Sequence, residues 1–94
     1  FRMLNNLKAY NLRLQNWAGM LAVSDYQLAL AHAEPNLLGM VHFERGEYSQ
    51  QLGESDAALE EYTRCIALCE RDSLVEKATD RVQTLLAEHR GALH

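Results

Sequence analysis

GEYSQQLGESDAALEEYTRC, residues 46–65, is the stretch whose reading decides the fold. Gly53 divides two segments whose apolar residues return every three or four positions, the period of a helix with one buried face. Before it, Leu37, Val41, Tyr48 and Leu52 share one face of a helix from about Asn36 to Leu52, and Gly53 supplies the left-handed residue that ends it. After it, a helix opens near Ser55 and carries Ala58, Leu59, Tyr62, Cys65, Ile66 and Cys69 on its stripe. So short a turn predicts that the two helices run antiparallel.

The same signals continue outward. Towards the N-terminus, Met3, Leu4, Leu7, Tyr10 and Leu14 mark a first helix. Asn16 is a suitable N-cap for a second, whose stripe is Trp17, Met20, Leu21, Ser24, Leu28 and Ala31, with Pro35 ending that hairpin. Towards the C-terminus, Ser73-Leu74-Val75-Glu76 has capping-box spacing. Leu74, Ala78, Val82, Leu85, Leu86 and His89 follow on one side, and Gly91 closes the helix.

Composition agrees with an all-α domain. The 94 residues are 48% apolar with one proline, and Ala, Leu, Glu, Gln and Arg dominate, the types that lose least on entering a helix. A chain of this length holds one core, so residues 1–94 are expected to form a single domain. It starts at Phe1, in what reads as helix, and is expected to be part of a longer protein. The formal charge of −4 and the scatter of the nine Lys and Arg residues argue against a nucleic-acid surface. The longest weakly charged run, Asn16 to Ala33, is too interrupted by polar residues for a membrane span, and no signal-peptide pattern opens the chain. Two cysteines without a disulfide framework fit a reducing compartment, and a cytoplasmic location is expected.

The hairpins repeat weakly. Met20 and Leu28 correspond to Ala58 and Ile66 at a constant offset, 58 − 20 = 38 and 66 − 28 = 38. Gly46-x6-Gly53-x4-Ala58-x3-Tyr62 resembles the tetratricopeptide signature, whose period is about 34 residues. The physical sense is that Gly46 and Ala58 lack bulk where two helices cross closely, and Tyr62 fills the space beside them. The family's aromatic, leucine and tyrosine places in the first helix fall on His42, Arg45 and Ser49, and its closing proline on Glu70. In the first unit Lys8 and Met20 take the glycine and alanine places. The resemblance implies a right-handed stack of antiparallel hairpins: repeat one at about 2–34, repeat two at about 36–70 and a capping helix at about 73–90.

Residues 2–17, Arg2-Met3-Leu4-Asn5-Asn6-Leu7-Lys8 with Leu12-Arg13 and Trp17, also look like the junction in one bacterial family. Its members join an N-terminal transglutaminase-like domain to a tetratricopeptide-type tail. That resemblance implies that this chain is the tail, with no catalytic residue of its own.

Cys65 and Cys69 lie on an apolar stripe, where free cysteine behaves as a small hydrophobe. Their alternative is a redox couple or half a zinc site, which needs accessible thiols and further ligands at motif spacing. Cys69 sits in the last turn, where the repeat usually turns polar, and is the one expected to react if either does. His32, His42, His89 and His94 form no i, i+4 pair and read as surface or helix-end residues. Glu60, Glu61 and Arg64 read as an exposed, solvated cluster.

What remains is a surface. In stacked hairpins the first helices line the concave side, so the resemblance implies a binding face of Asn5, Asn6, Ala9 and Arg13 beside Phe43, Glu44, Glu47 and Gln50. The expected function is a non-catalytic protein-interaction module without cofactor, whose partner is a peptide, its own upstream domain or a second copy. The alternatives are an accessory part of a transglutaminase-like or cysteine-protease-like enzyme and, behind it, a small redox or metal-binding domain.

Overall fold

The computed structural model describes residues 8, 14–31 and 34–92, with side chains given as far as residue 88. Four helices are present among the described residues: α1 (Trp17–Ala31), α2 (Pro35–Gln51), α3 (Ser55–Leu68) and α4 (Asp72–Ala92). The protein is all-α in this range, compatible with stacked helical hairpins. The expected first helix, including Met3, Leu4, Leu7 and Tyr10, lies outside the described residues.

Each boundary has a local cause. The Gly19 amide donates to Asn16 Oδ1 at 3.1 Å, the N-cap bond that starts α1. Pro35 occupies the first turn of α2, where its missing amide costs nothing and its fixed φ suits the helix. The C-terminus of α2 is a Schellman turn: Gly53 takes φ +78°, its amide donates to the Gln50 carbonyl at 3.0 Å, and the Glu54 amide donates to the Ser49 carbonyl at 2.9 Å. α3 then starts at Ser55. α4 starts one residue before the expected capping box, with the Val75 amide on the Arg71 carbonyl, so Ser73 stands inside the first turn. It also continues through Gly91 to Ala92.

Contacts along the helices establish the antiparallel order. Asn36 and Gly39, at the start of α2, lie against Glu70 and Cys69 at the end of α3, with the Glu70 amide donating to Asn36 Oδ1 at 2.8 Å. Gly46, late in α2, lies against Tyr62. On the other side, Arg45 and Tyr48 of α2 meet Leu21 and Trp17, near the start of α1. α2 is therefore packed between α1 and α3, and α4 lies on α3.

This sandwiching explains why α2 lacks a single apolar stripe. At about 100° per residue, Val41 and Tyr48 point one way and Gly39, Phe43 and Gly46 nearly the opposite way, and all five are buried. Leu52, expected on the buried face, is 40% exposed because the helix has already ended. The main core lies between the later helices: Phe43, Ala58, Tyr62, Cys65, Cys69, Ala78 and Leu85, flanked by Leu59, Ile66, Leu74 and Val82. Leu86 stands outside it, 44% exposed. No helix among the described residues is long and apolar enough to cross a membrane.

Candidate binding cleft and the polar joint behind it

Four positions one turn apart on α2, Glu44, Glu47, Tyr48 and Gln51, present a continuous strip, because residues at i, i+3, i+4 and i+7 share a helix face. Trp17 and Met20 of α1 line the other side, together with Lys8. Together these residues enclose a cleft of about 320 Å³. Trp17 and Tyr48 stack with ring centroids 6.2 Å apart at 20°, an offset arrangement that gives the cleft a rigid apolar side.

The polar side is organised around Glu44. Its Oε2 accepts from Lys8 Nζ and from the Tyr48 hydroxyl, the latter at 2.9 Å. Burial, then the charge and hydrogen bond of Glu44, push the Tyr48 hydroxyl well above the usual tyrosine range, so it remains a donor. Glu47 is half-exposed and accepts from Arg81 of α4 at 3.4 Å.

Of the face expected from the sequence, Glu44 and Glu47 line this cleft. Gln50 lies beside it, half-buried, accepting from the Tyr62 hydroxyl at 2.8 Å. Phe43 is only 8% exposed and belongs to the core. Its ring sits 5.4 Å from that of Tyr62, with the Arg81 guanidinium 5.4 Å from its centroid. Asn5, Asn6, Ala9 and Arg13 lie outside the described residues. Lys8, Trp17, Met20, Tyr48 and Gln51 are cleft residues that the sequence does not assign to a binding face. The i, i+3, i+4, i+7 spacing from Glu44 to Gln51 is the signal that could have found two of them.

Behind the cleft is a polar joint built from residues whose local sequence suggests solvent exposure. Glu61 of α3 is 7% exposed and His42 of α2 is 9% exposed. Glu61 Oε2 lies 2.8 Å from His42 Nδ1 and accepts from Arg45 Nε at 3.2 Å, while its Oε1 accepts from Arg64 at 3.1 Å. Arg45 continues the chain to α1, donating to Ser24 Oγ at 2.7 Å, Asp25 Oδ1 at 2.6 Å and the Leu21 carbonyl at 3.3 Å. One guanidinium thus ties three helices, the fork geometry in which arginine exceeds lysine. His32 and His94, and the side chain of His89, lie outside the described residues.

Both cysteines are buried free thiols. Cys65 is fully covered, and burial, reinforced by the neighbouring Cys69, pushes its thiol up to about 11. Cys69, the thiol expected to react if either does, is 8% exposed because Gly39 brings α2 against its β-carbon. A buried neutral thiol is a poor nucleophile. Among the described residues no group of three His, Cys, Asp or Glu is arranged to hold a metal ion. Comparison of the chain with protein families, curated proteins and solved structures gave no match.

Proposed function

We propose that this chain is a non-catalytic protein-interaction module of tetratricopeptide type, which takes a segment of its partner in the cleft beside α2. The observation that carries this reading is the cleft itself: a recess of about 320 Å³ with a stacked aromatic wall and carboxylates along one rim. Its size is at the lower end of ordinary ligand pockets, and it combines apolar wall with a few fixed polar groups, as recognition sites do. The tetratricopeptide part of the reading is supported by the close approach of Gly46 to Tyr62 and the complete burial of Ala58, positions at which that signature asks for small residues. In that architecture α2 is a first helix, and its outward strip is the binding face.

Selection of random peptides displayed on phage against the intact chain tests the proposal. The expected result is an enriched consensus whose binding falls at least tenfold in a Gln51→Ala, Glu47→Ala double variant. Binding should be unchanged by Glu88→Ala on the exposed side of α4. Failure to enrich any peptide, or enrichment indifferent to the cleft double variant, rejects the reading.

A further inference from the structure

We infer that the cleft recognises a cationic side chain, an arginine or lysine on an extended segment of the partner, and that Lys8 is an internal stand-in for that group. This rests on the interaction-module reading and specifies its ligand.

The chemistry of the rim selects the charge. Glu44 and Glu47 are the two acidic residues of the cleft, and an ionised carboxylate only accepts hydrogen bonds. An anionic segment would meet both as like charges, and a neutral one would gain no charge-assisted bond from them beyond the Lys8 and Arg81 pairs they already make. A guanidinium or ammonium satisfies them, and charge-assisted bonds of this kind are the stronger ones. The wall suits the same guest. Trp17 and Tyr48 offer aromatic surface, and Met20 gives an apolar floor for the methylene stem of a long cationic side chain. The protein itself provides the precedent at both carboxylates. Lys8 Nζ is already bonded to Glu44, and the Arg81 guanidinium reaches Glu47. The formal charge of −4 adds a long-range attraction for a basic partner.

If Lys8 is a stand-in, it competes with the partner. Removing it should strengthen binding, whereas a Lys8 that served as a contact for an acidic ligand would weaken binding when removed.

The single tryptophan, Trp17, lies in the cleft wall and reports occupancy directly. The experiment titrates the intact chain with triarginine, trilysine, trialanine and triglutamate at low ionic strength, following Trp17 emission. Triarginine and trilysine should give a saturable change that weakens with added salt, whereas trialanine and triglutamate should bind at least tenfold more weakly. Glu47→Gln should weaken triarginine binding about fivefold, the scale of one partly exposed charge pair. Lys8→Ala should strengthen it severalfold, with the helical circular dichroism unchanged in both variants. Trialanine or triglutamate binding as tightly as triarginine overturns the assignment, and so does weaker triarginine binding by Lys8→Ala. Silence of all four peptides in both the parent chain and Lys8→Ala overturns it too. In none of these cases is the module reading lost, because that reading stands or falls on the peptide selection.

Discussion

Gly46 lies directly against the ring of Tyr62: a β-carbon at position 46 would come within 2.6 Å of Tyr62 Cε1 and 2.7 Å of Cδ1. The ring has little room to retreat. It is fully buried, packed on Phe43, and its hydroxyl is bonded to Gln50 and Arg81.

Gly46→Ala should therefore destabilise the fold. Alanine gains about 1 kcal/mol in a helix interior, but forcing a methyl into a tightly packed contact costs about 1–3 kcal/mol. Against a ring held on both sides the second effect should win, with a net loss of up to about 2 kcal/mol in urea denaturation. In a Tyr62→Leu background the clash is gone, and the same substitution should become neutral or stabilising. An equal loss in both backgrounds would show that the crossing distance is not what selects glycine.

Glu61 and Glu60 are adjacent and carry the same charge, yet their removal should differ in effect. Glu60 is exposed and pairs with the half-exposed Arg64, so Glu60→Ala should change stability by less than about 0.5 kcal/mol. Glu61→Ala strips His42, Arg45 and Arg64 of a shared buried carboxylate and should cost on the order of 2–3 kcal/mol. Arg45→Lys should recover little of an Arg45→Ala loss, because an ammonium cannot reach Glu61, Ser24 and Asp25 together. Thermal melts of these four variants suffice to check this.

The thiols should be silent in the native state. At pH 8 a thiol reagent should leave both cysteines unmodified for as long as the protein stays folded and titrate two thiols in denaturant. Prompt modification of Cys69 in the folded chain would contradict the cover provided by Gly39.

Stability should fall on the alkaline side. The Cys65 thiol is raised in the fold from 9.0 to about 11, so folding favours the protonated form. The stabilisation this gives is complete below about pH 9 and is lost as pH rises towards 11, a change of roughly 2–3 kcal/mol. Tyr48 and Tyr62 are raised by burial and add a loss of the same sign above pH 10. Urea midpoints should be flat from pH 7 to 9 and then decline, and Cys65→Ala should shallow the first part of the decline.

Two turn residues should respond in opposite directions. Gly53 has φ +78° with open space around the place of a β-carbon, so Gly53→Ala should cost about 1 kcal/mol from backbone strain alone. Gln15 has φ +52° just before the Asn16 cap. Gln15→Gly should be neutral to stabilising, by up to about 0.5 kcal/mol, since glycine enters that region without the side-chain penalty. Urea denaturation of the two single variants checks both signs.

Among the described residues, the sequence by itself determined the all-α class and most helix boundaries, though not the stop expected at Gly91. The causes are local: Asn16, Pro35 and Gly53 act on amides and carbonyls within a few residues of themselves. The spacing from Gly46 to Tyr62 also announced a close helix crossing, because it is a relation within one hairpin. The tertiary structure alone decided which faces of α2 are covered. Phe43 went inward to Tyr62 and Arg81, and Cys69 was covered by Gly39. Polar and ionisable residues that look solvated in any local window, His42, Arg45 and Glu61, became a largely buried joint. Their partners lie 16 to 24 residues away along the chain, and a charge can be buried only where such partners converge. The cleft depends on the same convergence: α2 supplies one wall in regular helical spacing, but the Trp17 side exists only once α1 has packed against it.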